Sequence, residues 1–178
     1  DDFAVNTKKQ IEYMSDTIDS FLSFFNTEKH FVKVSLKKVV DKFLDLMKSQ
    51  IANNNIDINL DIEDNNIMGV EMELSQVFIN IVTNSIQAYT QRDIENRKIE
   101  INSYKEGDKV ILTIADFAGG IDNDNLEKLF DPYFTTKENG TGIGLYMVKL
   151  VVVNSFKGEL KVENDSNGLK FIISFPIA

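Results

Sequence analysis

The sequence predicts an α+β fold: a two-layer α/β sandwich in which helices back a mixed sheet, preceded by a long helix. Apolar residues recur at helical spacing over about 36–50 and 72–91. Period-two alternation marks strand pairs near 98–104 and 109–115, and again near 159–164 and 169–175. Antiparallel hairpins interleaved with amphipathic helices suit a sheet that buries one face under a helical layer.

Residues 1 to about 27 read as a helix. Ala4, Ile11, Met14, Ile18, Phe21 and Phe25 make a heptad-like seam. A polar linker follows over 28–34, so the seam is expected to face partners outside the next domain, 35–178. Ser35 is placed to cap a helix whose apolar face holds Leu36, Val39, Val40, Phe43, Leu44 and Met47. Short strands are expected near 55–61 and 66–70, parted by the turn residues Glu63-Asp-Asn-Asn66. The helix over 72–91 buries Leu74, Val77, Phe78, Ile81, Val82 and Ile86. The strands near 98–104 and 109–115 join through Glu106-Gly-Asp108. A loop with a short helix covers 116–140. The next helix runs to about Phe156, and a hairpin turning at Asp165-Ser-Asn-Gly168 ends the chain.

At 178 residues the chain is long enough for one well-cored domain. Hydrophobic residues make 43% and charged residues 26%, ordinary values for a globular domain. Without cysteine there is neither a disulfide nor a thiolate metal site, and a cytoplasmic setting fits. The net charge of −9 argues against a nucleic-acid surface. No apolar run reaches membrane-spanning length, so no membrane contact is expected in this segment. The parent protein can still be cytoplasmic or membrane-anchored.

Three places carry chemistry. Gly140-Thr-Gly-Ile-Gly-Leu145 closes a polar loop and opens an apolar helix. Glycines at alternate positions let backbone N–H groups face an anion where a helix supplies partial positive charge. Asn80 and Asn84 leave one face of a helix, and their neutral hard oxygens suit Mg²⁺. Asp116 ends a strand before Ala118, Gly119 and Gly120; a carboxylate accepts only, so it can read the exocyclic amine of adenine. Taken alone, Asp116 reads equally as a turn aspartate, either asparagine as a buried amide, and Lys137 as a solvated lysine. The glycine run alone is weak: it lacks the preceding strand of a dinucleotide site and the Gly-Lys-Ser/Thr of a Walker loop. Together, the three places predict a pocket for ATP with Mg²⁺. Phe130 and Phe134 are expected to pin the intervening loop to the core.

These residues resemble the catalytic ATP-binding domain of sensor histidine kinases, in the superfamily of gyrase B, Hsp90 and MutL. Asn80 to Asn84 is similar to the N box, Asp116 to Ile121 to the first glycine box, Phe130 to Lys137 to the F box and Gly140 to Leu145 to the second glycine box. The resemblance covers about 31–178 and implies a Bergerat-type ATP-binding fold with a mobile lid over about 122–142. It implies that Asn84 holds Mg²⁺, with Asn80 beside the phosphates in the catalytic position. Asp116 would bind the adenine amine, flanked by Gly120 and Ile121. Gly140, Thr141, Gly142, Ile143, Gly144 and Leu145 would line the phosphates, with Lys137 near. The helix over 1–27 resembles the end of the family's dimerisation and phosphotransfer domain. The implied partners are those helices in a homodimer of the full-length kinase, and a response regulator receiver domain.

Three positions depart from the pattern: Ala118 for a frequent Gly, Gln87 for a phosphate-binding Lys, and Lys170 for a Thr that faces the base. His30 is the sole histidine, and it lacks the neighbours of a phosphoacceptor, so the acceptor is expected outside this chain. An ATPase clamp would need a glutamate at position 80 to activate water, which an amide cannot do. A nucleotide-binding scaffold and a serine-directed kinase of the same superfamily remain as alternatives.

Overall fold

The computed structural model describes residues 30–137, 140–165 and 167–178. The helix expected over 1–27, with its seam, lies outside them. His30 is exposed.

The first element is a strand where the polar composition predicts linker. β1 (Val32–Ser35) pairs antiparallel with β3 (Asn66–Gly69), Val34 lying opposite Ile67. Both of those residues are buried, and this tertiary contact makes a strand of a run too short to signal itself. Ser35 then caps α1 (Leu36–Asn53), its hydroxyl accepting the Lys38 N–H at 3.2 Å. Leu36, Val39, Val40, Phe43 and Met47 are buried, and Leu44 is partly so.

β2 (Ile56–Ile62) and β3 are neighbours in the chain but join different sheets. β2 runs parallel to β4 (Arg97–Glu106) at the edge of a five-stranded sheet ordered β2-β4-β5-β7-β6. β5 (Lys109–Asp116), β6 (Glu159–Asp165) and β7 (Gly168–Pro176) complete it, every other pairing being antiparallel. The sheet is therefore mixed, as the element order predicts. Ile99, Ile101, Leu112, Ile114, Phe171, Ile173 and Phe175 cover its inner face and are almost wholly buried. Against them packs α2 (Glu71–Gln91), burying all six apolar residues expected of it. Phe43 of α1 stacks on Phe78 of α2 at 5.3 Å between ring centroids. Each such side chain stabilises the fold by roughly 1.5–3 kcal/mol.

The connection after β5 holds a short helix, α3 (Asn123–Leu126). Phe130 meets Phe171 edge-on at 6.3 Å, and Phe134 packs partly buried on the core, so both pin the loop. α4 (Gly144–Leu150) does not continue unbroken to Phe156 as predicted; it widens into a π-helical turn over Val151–Ser155. Three consecutive β-branched valines disfavour the tighter α turn there. Phe156 still reaches the core, packing on Phe175 and lying over Gly69, where any side chain would collide with its ring. Among the described residues no helix is long and apolar enough to cross a membrane.

Candidate functional site

One wall of the site is α2. Asn80 and Asn84 stand one turn apart on it, beside its buried stripe. Asn80 Oδ1 accepts from Gln76 Nε2 at 2.9 Å, and its Nδ2 donates to the Gly144 carbonyl at 3.1 Å. Asn80 thus ties α2 to the start of α4. Asn84 Oδ1 accepts from the Lys137 ammonium, which also donates to Gln87 Oε1 at 2.7 Å. Lys137 has crossed the site from the opposite loop to do so. Burial lowers its pKa to about 8, against a smaller upward pull from the Asp116 carboxylate.

The floor is Asp116, the last residue of β5 and only 4% exposed. Its Oδ2 accepts the Ser85 hydroxyl at 2.7 Å. Its Oδ1 accepts the N–H groups of Ala118 and Leu169, both at 3.1 Å. A carboxylate offers about four lone-pair sites, so capacity remains for a donor arriving from the cavity. Tyr89 supports the same corner: its hydroxyl donates to the Lys98 carbonyl and accepts from Phe117 N–H at 2.8 Å. Burial, as the largest cause, raises the phenol pKa and keeps it able to donate.

The third wall is the glycine run. Gly142 has φ 65°, and a β-carbon there would fall 2.6 Å from the Phe134 nitrogen. Its carbonyl accepts the Tyr133 N–H at 3.1 Å, so the run is locked to the aromatic loop. Gly144 differs: a β-carbon there would meet nothing nearer than Asn80, at 3.9 Å. Its lack of a side chain leaves room above a helix start that has no side-chain cap. Such an end presents N–H groups to an anion.

The three walls enclose a cavity of about 610 Å³. All twelve residues singled out in the sequence line it: Asn80, Asn84, Asp116, Gly120, Ile121, Lys137, Gly140, Thr141, Gly142, Ile143, Gly144 and Leu145. Ile79, Leu129, Phe134, Met147 and Leu169 add apolar surface. A few converging polar groups in an apolar cavity of this size suit one small molecule.

Two departures resolve differently from expectation. Lys170 does not line the cavity; its ammonium lies 3.6 Å from Asp165 and 3.9 Å from Glu163, and Leu169 stands at the wall instead. At Gln87 a positive charge is present after all, because Lys137 brings it. Ala118 is tolerated, since its φ is not positive and its methyl is buried.

Residues 69–178 match the family described as "Histidine kinase-, DNA gyrase B-, and HSP90-like ATPase". The chain belongs to that family. Within it, the fold is that of a histidine kinase's catalytic ATP-binding domain. The chain is 32% identical over 154 residues to the C4-dicarboxylate transport sensor protein DctB of Rhizobium meliloti, covering 84% of this chain and 24% of that protein. The nucleotide-free catalytic domain of histidine kinase ThkA superposes with a TM-score of 0.75 at 31% identity, over 83% of this chain and 96% of that one. ThkA in complex with the response regulator TrrA matches at TM-score 0.77 and 26% identity, over 96% of this chain and 49% of that one. The chain spans about a quarter of the length of the curated relatives it matches.

Sequence reasoning missed several residues that shape this site. Arg92, Tyr89, Ser85, Gln76 and Asn164 all act on its walls. Arg92 and Asn164 sit at the ends of elements, where a polar residue reads as a cap or turn. The available signal was the glycine loop after Asp116, whose partly buried backbone carbonyls must find donors somewhere.

Proposed function

We propose that this domain binds ATP with Mg²⁺ and transfers the γ-phosphoryl group to a histidine on a dimerisation helix outside the described residues, for relay to a response regulator. The observation that carries this reading is the Lys137–Asn84–Gln87 contact set beside an uncapped helix start: a cation, a hard neutral oxygen and the first turn of a helix face one space. Phosphate oxygens would lie over Gly140, Gly142 and Gly144, and Lys137 would move from Asn84 to meet them. Asn84 then offers its amide oxygen to Mg²⁺, which when bound neutralises charge on the phosphates. Asp116 would accept from the adenine amine. Asn80 keeps α2 and α4 in register around the phosphates.

Transfer is favoured over hydrolysis. Among the described residues Asp116 is the one carboxylate on the cavity wall, and three donors already hold it. Among the described residues no second carboxylate stands on that wall to act as a general base for water. An imidazole needs none, since its nitrogen lone pair forms the new P–N bond as the bond to the ADP oxygen breaks. A phosphoacceptor helix pair, a homodimeric parent and a cytoplasmic site where ATP and a receiver domain meet all follow from this reading.

Calorimetric titration with a non-hydrolysable ATP analogue tests it. We expect Mg²⁺-dependent binding, and Asn84→Ala should remove the Mg²⁺-dependent part. Equal losses with and without Mg²⁺ would show that Asn84 holds no metal. Labelled phosphate should pass from ATP to a supplied acceptor helix faster than to water. Rapid steady hydrolysis by this chain alone would count against transfer.

A further inference from the structure

Residues 117–121, which follow Asp116, are clasped at every residue. Tyr89 holds Phe117 N–H at 2.8 Å. Asp116 Oδ1 holds Ala118 N–H at 3.1 Å. The Asn167 carbonyl holds Gly119 N–H at 2.6 Å. The Asn164 amide pairs with Ile121 on both its N–H, at 3.0 Å, and its carbonyl, at 2.8 Å, as a strand would. One side chain takes two further carbonyls. Arg92, the residue ending α2, donates through one terminal nitrogen to the Ala118 carbonyl and through the other to the Gly120 carbonyl at 2.8 Å.

The planar guanidinium fork spans the carbonyls of residues 118 and 120 in a fixed geometry that a flexible lysine ammonium does not reproduce. Gly119, between them, has φ 91°, and its bare α-carbon lets the guanidinium close in; a β-carbon there would lie 2.9 Å from it. Arg92 itself lines the cavity. Ala118 is therefore gripped from both sides, its N–H by Asp116 and its carbonyl by Arg92. The carboxylate and the guanidinium are linked through one peptide residue.

We infer that Arg92 is a positioning residue for base recognition: by holding the Ala118 and Gly120 carbonyls it fixes the direction in which Asp116 meets the adenine amine, and so sets the preference for adenine over guanine nucleotides. The inference rests on the proposed adenine contact of Asp116. Its cause is preorganisation. A loop already held in the bound geometry gives up no freedom on binding, and its carboxylate stays aimed at the donor of adenine and against the carbonyl of guanine.

The test compares Mg²⁺-dependent binding of ATP, GTP and inorganic tripolyphosphate by the 178-residue chain, with Arg92→Met, Arg92→Lys and Asp116→Asn as variants. Two charge-assisted bonds are lost in Arg92→Met, so the ATP-over-GTP preference should fall by about tenfold or more. Tripolyphosphate affinity should not change, and Arg92→Lys should recover part of the preference. A merely structural role would weaken all three ligands together, and that result would overturn the inference. A preference lost in Asp116→Asn but kept in Arg92→Met would overturn it while leaving the adenine contact standing. A preference unchanged in both variants would remove the adenine contact and this inference with it.

Discussion

Gly142 and Gly144 look alike in the sequence and serve the site in different ways. At Gly142 the backbone is left-handed and pressed against the Tyr133–Phe134 peptide. Any side chain there is strained and must push the aromatic loop away. At Gly144 the backbone is helical and the space is open. Alanine at that position is a better helix former than glycine, by about 0.8–1 kcal/mol in a helix interior. Gly142→Ala should therefore lower thermal stability and nucleotide affinity together. Gly144→Ala should leave the melting temperature unchanged or slightly higher and still weaken ATP binding, because its methyl occupies the space above the helix start. A Gly144→Ala variant that binds ATP as the parent does would show that the phosphates pass elsewhere. The sequence distinguishes these residues only by their setting: both are needed, one for the loop and the other for the ligand.

α2 is the element on which the site is built, and much of it was readable beforehand. Its apolar period predicted six buried residues, and the same period placed Asn80 and Asn84 together on one face. The polar contacts of its last two turns were not readable. Ser85, Tyr89 and Arg92 continue the helix toward the end of β5 and hold the Asp116 corner, but serine, tyrosine and arginine near a helix end carry no pattern of their own. Their partners are backbone groups far along the chain, and such pairings exist only once the sheet has formed. The same reason hid β1, which is a strand because Ile67 lies opposite Val34. Tyr89 gives the sharpest test of this element. Its hydroxyl serves Lys98 and Phe117 at once, in a place without exposed surface. Tyr89→Phe keeps the ring and strands those backbone groups, so stability should fall by about 1–3 kcal/mol in denaturant unfolding. A loss within about 0.5 kcal/mol, the range of an ordinary surface substitution, would mean that the corner finds other donors or water.

The whole chain carries a net charge of −9 and yet holds a domain built to receive a polyanion. Distant charges are screened beyond roughly 8 Å at physiological salt, so the local groups decide. Locally the site offers a helix start without a cap and a single ammonium, Lys137, drawn in from a loop. Burying that ammonium costs the domain stability. Its folded pKa of about 8 lies below the ordinary 10.5, so the unfolded chain holds the proton more firmly. Below pH 8 both states carry the proton and the cost is fully present. As pH rises from 8 to 10.5 the folded state gives up the proton first, and this group's contribution to stability increases. Lys137→Met has no such titration. The stability of the parent relative to Lys137→Met should therefore climb across that window and stay level below it, as read by denaturant unfolding at a series of pH values. A difference that is flat from pH 7 to about 10.5 would show that the lysine is solvated and does not sit over Asn84. A charge retained at a cost to the fold, on the one wall where phosphate would lie, is how a domain tuned for its nucleotide departs from one tuned for stability.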